Sequence, residues 1–160
     1  MKPFAIILII LVLAAVVGIG CLYFNANLTV TFDSCIATDG VTQAEYFDQL
    51  KKQVTNSTFI GTLYGSKDLL TADQYQFLTY TVVLDNHSFL KAETAEIRIT
   101  PMQGDVLMIT DGQEHSVPSG KKEMLSATIL TARDMHSVRE ATVTWYFWGI
   151  PFSEKLTLGQ

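Results

Sequence analysis

The chain has 160 residues, of which 11 are Lys or Arg and 16 are Asp or Glu, so its formal net charge is −5. An acidic chain without a basic stripe or a glycine-rich phosphate loop binds polyanions poorly, and we expect no nucleic-acid partner. Beyond the first 24 residues the chain still has 136, which suits one domain with a sizeable core.

The N-terminal segment carries the strongest signal. Residues 4–24 contain no charged side chain. A helix rises about 1.5 Å per residue, so this run reaches about 30 Å, the thickness of the hydrocarbon core of a bilayer. The run predicts a transmembrane helix over 4–24, with residues 1–3 as a cytoplasmic end and residues 25–160 as one extracytoplasmic domain.

The flanking charges predict the orientation of that helix. Lys2 precedes the run, whereas the charged residues that follow it are acidic up to Lys51. Positive residues stay on the cytoplasmic side of a membrane. We therefore expect a single-pass protein of the cell membrane with its N-terminus in the cytoplasm and its C-terminal domain outside.

Two other interpretations of the segment stay open. The first is a cleaved secretory signal, although such signals have a shorter apolar core of about 7–15 residues. The second is a lipoprotein signal processed before Cys21, because Gly18-Ile19-Gly20 resembles a bacterial lipobox. The lipobox has Leu, Val or Ile where Gly18 stands, so the uncleaved anchor is favoured.

The remaining chain alternates apolar and polar residues with a period of two, which is typical of half-buried strands. Several of these runs lie about 8–15 residues apart with turn residues between them, a spacing that indicates an antiparallel sandwich rather than a βαβ fold. Asp111-Gly112 and residues 117–122 are predicted turns. The predicted strands are 28–33, 59–64, 76–86, 95–100, 106–110, 125–130, 138–148 and 152–158.

Residues 42–54 depart from this period and predict a short helix. Thr42 and Glu45 have the spacing of a capping box, and apolar residues recur at helical spacing at Ala44, Phe47, Leu50 and Val54. We expect the resulting apolar stripe to pack over an open end or edge of the sandwich. A second box-like tetrapeptide, residues 71–74, precedes a strand and is interpreted as a single turn.

The segment from 80 to 130 allows a resemblance to be named. It contains YTVVLDNHS, then AEIRITP, then VPSGKKEMLSATIL. This order of turns and alternating strands resembles the immunoglobulin-like or fibronectin-III-like modules of bacterial single-span envelope proteins. The resemblance implies a mainly β fold, an antiparallel immunoglobulin-like β-sandwich, with a binding or structural role outside the cytoplasm. It implies no functional residues.

One strand carries large aromatic side chains on both faces. If Ala141, Val143, Trp145 and Phe147 face the core, alternation directs Thr142, Thr144, Tyr146 and Trp148 outward. Two exposed aromatic rings need a cover or a partner. Either the helix near 42–54 or a neighbouring loop covers them, or Tyr146 and Trp148 bind a protein or a glycan.

The residues that carry chemistry form no recognisable constellation. Cys35 is the one cysteine outside the apolar run; it is interpreted as a small, partly buried hydrophobe, with an intermolecular disulfide as the alternative. His87, His115 and His136 fall in predicted turns without metal-ligand spacing. No hydrolase signature is present. We therefore expect no catalysis, no metal and no cofactor.

These observations favour a membrane-anchored extracytoplasmic binding or scaffolding module of the bacterial envelope, with a protein partner there. The alternative from another class is a surface carbohydrate-binding module that uses Tyr146 and Trp148. A small envelope enzyme that uses Cys35 or the histidines is the third interpretation, and no motif supports it.

Overall fold

The structure is a computed structural model and describes residues 2–66, 68–110 and 114–159. Helix α1 comes first, helix α2 follows the first strand, and one 3-10 turn, Ala72–Gln74, precedes the third strand. The helices are α1 Lys2–Asn25 and α2 Ala44–Thr55; the strands are β1 Leu28–Asp39, β2 Gly61–Leu63, β3 Tyr75–Asn86, β4 Ala92–Ile99, β5 Asp105–Ile109, β6 His115–Val117, β7 Lys122–Ala132, β8 Arg139–Phe147 and β9 Ile150–Leu158.

The strands form two antiparallel sheets around one core. The five-stranded sheet has the order β1-β3-β7-β5-β2, and the four-stranded sheet has the order β6-β4-β8-β9. Side chains from both sheets, among them Leu78, Ile129 and Val143, form one buried cluster. The mainly β fold is therefore confirmed, as are the strand regions that the sequence predicts. Within the described residues the structure adds β6, which spans three residues and is too short for alternation to reveal.

The predicted core faces are confirmed. In β8, Ala141, Val143, Trp145 and Phe147 are all buried. In β3 the even-numbered residues from Leu78 to Leu84 are buried as well. Burying an aliphatic or aromatic side chain contributes about 1.5–3 kcal/mol, so each alternating set strongly favours one orientation of its strand.

Helix α2 agrees with the prediction in its stripe but not in its cap. Phe47, Leu50 and Val54 are buried. The N-cap residue is Gln43, without a side-chain hydrogen bond, so the predicted Thr42–Glu45 capping box is wrong. The Thr42 amide, which Glu45 would accept from in such a box, instead donates to the Asp39 carbonyl at 3.0 Å in a backbone turn.

Helix α2 packs on the outer face of the five-stranded sheet, not over an end or edge. Phe77, Leu107 and Leu130 are neighbours in register on β3, β5 and β7, and they alternate with core residues such as Leu78. They join the three α2 residues in a second buried cluster, and the rings of Phe47 and Tyr75 stack at 5.6 Å. The helix lies there because this outer patch is apolar and must be covered.

A buried ion pair joins the two sheets. Arg139 begins β8 and Asp105 begins β5, and both side chains are 0% exposed. The Arg139 Nε and Nη2 atoms donate to Asp105 Oδ2 and Oδ1 at 2.9 and 2.7 Å. Arg139 Nη1 also donates to the backbone carbonyls of His136 and Val138. The sequence does not reveal this pair, because its members lie 34 positions apart.

Candidate functional site

The strand directions define the end of the domain that lies next to α1. Leu28, three residues beyond α1, pairs with Asn86, and Asp85 pairs with Lys122. We call residues 25–27, 87–91, 118–121 and 148–149 the helix-proximal end. Residues 100–104 and 133–138, at the other ends of the same strands, form the far end.

The β8–β9 hairpin turn places Trp148 at the helix-proximal end. Phe147 pairs with Ile150, which leaves a two-residue turn of Trp148 and Gly149. Their φ angles are 52° and 76°, and such paired positive angles are the mark of a type I′ turn, where Asn-Gly is the usual sequence. A left-handed conformation costs a residue with a Cβ about 1–2 kcal/mol. A tryptophan therefore occupies a position that its backbone preference disfavours.

Trp148 lies beside the last turn of α1. It lines a cleft of about 20 Å³ together with residues of α1, β9 and the 87–91 loop: Tyr23, Ala26, Leu90, Phe147, Ile150 and Phe152. The Tyr23 ring is 5.6 Å from the Phe152 ring, which in turn stacks on Trp145 at 6.5 Å. The cleft is far smaller than the roughly 300–1,000 Å³ of ligand pockets. It is a packing contact between the helix and the domain.

The structure separates the two predicted binding residues. Tyr146 is half-buried in β8, between its partners Glu93 on β4 and Pro151 on β9, whereas Trp148 is 66% exposed in the turn. They do not continue one outward row, because the strand ends at Phe147. Helix α2 packs against the other sheet, so the interpretation that it covers the two aromatic residues is wrong.

Further apolar side chains are exposed around Trp148. Phe24 at the end of α1 is 87% exposed, Phe89 in the 87–91 loop is 60% exposed, and Ile150 is 45% exposed. Three large aromatic rings at one end of a water-facing domain are unusual, because apolar patches on soluble surfaces generally mark contacts with a partner or a membrane.

The loops that carry these residues are tied together by hydrogen bonds. The His87 amide donates to the Asn27 carbonyl at 2.9 Å, directly after α1. The buried Asn86 Nδ2 donates to the Leu90 and Val117 carbonyls at 2.8 and 2.9 Å. Ser119 Oγ donates to the Ser88 carbonyl at 2.8 Å. The helix-proximal end is therefore a connected surface rather than a set of separate loops.

The same end carries basic side chains. Lys91 and Lys121 are exposed, and Lys122 Nζ lies 2.8 Å from Asp85 Oδ2. The hydrogen bond from Lys122, with the nearby His87 as a smaller cause, holds the pKa of Asp85 below its ordinary value. The acidic chain thus presents lysines where α1 meets the domain, an asymmetry that net charge alone does not reveal.

The other candidate residues lie apart from this surface and from each other. Cys35 is half-buried in β1, and burial raises the pKa of its thiol, which disfavours the thiolate that a nucleophile needs. His87 is at the helix-proximal end, His115 is in β6 and His136 is at the far end. Among the described residues no three His, Cys, Asp or Glu side chains are grouped as metal ligands would be.

Comparison with known proteins adds little to this description. No family model matches the chain, and no curated protein matches it. Among solved structures, the crystal structure of a FixG-related protein from Vibrio parahaemolyticus aligns with 85% of this chain and 96% of its own, at 10% identity and a TM-score of 0.38. A likeness at that level carries no argument about the fold or the function of this chain.

Proposed function

We propose that the chain is a membrane-anchored binding or scaffolding module of the bacterial envelope, without catalysis. In this proposal α1 spans the cell membrane from a cytoplasmic N-terminus. The β domain stands outside as an immunoglobulin-like sandwich, and the two antiparallel sheets around one core support that finer description.

The observation that carries the proposal is the exposed apolar surface of α1. Phe4–Asn25 is long and apolar enough to cross a membrane. The large apolar side chains from Phe4 to Ile19 are more than half exposed on every side of the helix. Leaving apolar area in water costs about 25 cal/mol per Å², so this helix needs a cover, and among the described residues the ring contact between helix and domain is at Tyr23, near the helix end. A lipid bilayer supplies that cover.

The domain supports a binding role more than an enzymatic one. Its conspicuous groups are exposed rings and a half-buried tyrosine at a sheet surface, which suit recognition of a partner. We propose Tyr146, on the sheet surface of β8, as the contact residue for a protein of the envelope, while Trp148, two residues further on in the turn, is the contact residue of the second candidate function below.

Photocrosslinking in native membranes tests the protein-binding role. A benzophenone amino acid replaces Tyr146 in the full chain, and the control replaces Met124, which is exposed on the outer face of the other sheet. We expect one discrete protein adduct from position 146 and none from position 124. Equal patterns from both positions, or no adduct from either, would remove the protein partner.

The exposure of Trp148 favours the carbohydrate-binding module as the second candidate, because sugar rings stack on exposed indoles. A glycan array probed with the full chain in detergent separates the two functions. Glycan binding that is lost in Trp148→Ala supports the module. The absence of binding to every envelope polysaccharide eliminates it.

A further inference from the structure

We propose that the helix-proximal end docks on the surface of the bilayer that α1 crosses, with Trp148 and Phe89 inserted among the lipid headgroups. This inference rests on the proposed anchoring by α1, and it adds a second, reversible contact between the domain and the lipid. The occupant of the exposed apolar surface is therefore the membrane itself.

The length of α1 sets the depth of Trp148. Phe4–Asn25 contains 22 residues, or about 33 Å of helix, whereas the hydrocarbon core is about 30 Å thick. Tyr23 therefore lies at the boundary between acyl chains and headgroups when α1 spans. Trp148 lines the same small cleft as Tyr23. Residues that line so small a cleft lie close together, so Trp148 lies near the same boundary.

The side chains at that depth have the chemistry of the membrane interface. Trp and Tyr are enriched there because an amphipathic ring places its apolar body toward the acyl chains and its N–H or O–H toward water. Trp148, Phe89 and Phe24 are exposed in the isolated protein and become covered in this arrangement. The turn accordingly holds a tryptophan at a left-handed position that Asn or Gly would occupy at lower cost.

The charges at this end complement an anionic lipid surface. Lys91 and Lys121 are exposed, and neither makes an ion pair with another described residue. Asp85, which is adjacent to this end, is paired with Lys122. Each lysine close to an anionic bilayer favours docking by about fivefold, which is equivalent to about 1 kcal/mol.

Docking restricts the domain to one orientation. The His87–Asn27 hydrogen bond and the Tyr23–Phe152 contact hold the end of α1 against the domain, and the lipid contacts of the two loops prevent rotation about the short segment 26–27. The far end then points away from the membrane, and the outer faces of both sheets stand perpendicular to it, accessible to partners beside the anchor.

Fluorescence quenching in proteoliposomes tests the inference on the full chain. The vesicles contain phosphatidylglycerol and phosphatidylcholine in equal parts, with acyl chains either unmodified or brominated near the glycerol end. Bromine quenches tryptophan emission on contact. The emission of Trp148 is the difference between the unchanged chain and Trp148→Phe, so Trp145 stays in place and the core is not altered.

The matched control places a tryptophan at the far end. Val138 is 38% exposed there, and the variant Val138→Trp with Trp148→Phe reports on that position. We expect strong quenching of Trp148 and none of the introduced tryptophan. If the protein floats with the vesicles but the tryptophans at positions 148 and 138 are both only weakly quenched, the proposed docking is refuted and the anchoring by α1 stands. If the protein does not float with the vesicles, the anchor itself is refuted.

Substitution of the lysines tests the electrostatic part. Lys91→Gln with Lys121→Gln should lower the ratio of docked to undocked domain by about 25-fold in the mixed vesicles, at about fivefold for each lysine, and leave it unchanged in phosphatidylcholine alone. The control, Lys52→Gln with Lys155→Gln, makes the same change in charge at exposed positions away from this end. An equal loss in both lipids, or an equal loss in the control, would refute the proposed headgroup contact.

Discussion

Asp105→Asn is the substitution whose effect the structure predicts most sharply. It removes the charge that faces Arg139 while it keeps the size of the side chain. Both partners are fully buried, so the guanidinium is left as an uncompensated charge without access to water. Breaking a buried pair from one side costs about 3–5 kcal/mol, a large part of the 5–15 kcal/mol that typically stabilises a domain.

Substitution of Arg139 distinguishes the contribution of the ion pair from that of the hydrogen bonds that Arg139 donates to the backbone. Arg139→Met leaves the Asp105 carboxylate unpaired, and it also deprives the His136 and Val138 carbonyls of their donor. In the double variant Asp105→Asn with Arg139→Met the buried charges are gone, but those carbonyls remain without Arg139. The double variant should therefore cost less than the sum of the two single variants, by about 1–3 kcal/mol of coupling.

The pH dependence follows from the same pair. Burial alone would raise the pKa of Asp105, but hydrogen bonds from Arg139, the Met102 amide and Thr131 hold that pKa below its ordinary value of 3.8. A depressed carboxyl pKa stabilises the fold fully above the ordinary value, and this contribution is lost as the pH falls below it. The unchanged chain should lose stability in that acidic range, and Asp105→Asn should lose less.

Urea unfolding in detergent of full chains that also carry Trp148→Phe, followed by Trp145 emission, measures these free energies. Thr128→Ser, on a partly exposed site in β7, serves as a control for a polar substitution away from the pair. An Asp105→Asn cost below about 1 kcal/mol, the value of an exposed pair, would refute the reasoning. So would additive effects of the two single variants.

Three further predictions concern the aromatic residues and α2. Trp145→Ala should cost about 3–5 kcal/mol because the ring is buried, whereas Trp148→Ala should cost far less; thermal melts of the two variants compare them directly, and equal losses would place Trp148 in the core. Trp148→Asn should change the free energy of unfolding by less than about 1 kcal/mol, because the better turn residue offsets the lost contact. The same substitution should abolish docking of the 87–91 loop, measured as bromine quenching of a tryptophan introduced by Phe89→Trp in the same chain. Retained quenching would show that Trp148 is dispensable for docking. Phe47→Ala should lower the free energy of unfolding by about 3–5 kcal/mol, because Phe47 anchors α2 on the outer sheet face. Urea unfolding compares this variant with Tyr46→Ala at an exposed position of the same helix. An equally small loss for both variants would argue against that packing.

Local patterns explain what the sequence predicts correctly. Alternation identifies the core faces of β3, β4 and β8, because each strand contacts one core along its whole length. The stripe Phe47, Leu50 and Val54 identifies the buried side of α2 for the same reason at helical spacing. The uncharged run identifies α1, because few other arrangements tolerate so many apolar residues in succession.

What the sequence does not predict depends on contacts between distant segments or on unusual backbone. β1 continues to Asp39 past a register shift at Asp33, which changes the alternation and hides the second half of the strand. The packing site of α2 depends on the outer residues Phe77, Leu107 and Leu130, which come together only in the sheet. Alternation predicts a strand face for Trp148, whereas it lies in the hairpin turn, because tryptophan is rare at the left-handed positions of such a turn.

The candidate surface, too, is only partly predictable from the sequence. Tyr146 and Trp148 are visible in the sequence as aromatic residues at outward positions. Their separation, the cleft with Tyr23 and the grouping of Lys91 with Lys121 all require the register of several strands. The overall acidic charge therefore conceals a basic, aromatic end.

Thiol labelling tests the central claim that α1 spans the membrane and holds the domain outside. The variant Leu70→Cys places a thiol at an exposed position of the domain, in a chain with Cys21→Ser and Cys35→Ala. A membrane-impermeant maleimide is applied to spheroplasts, and the membranes are then washed with alkaline carbonate. We expect labelling before lysis and retention of the labelled, full-length chain in the membrane pellet. Labelling only after lysis, or release of the chain into the carbonate wash or the medium, would contradict it.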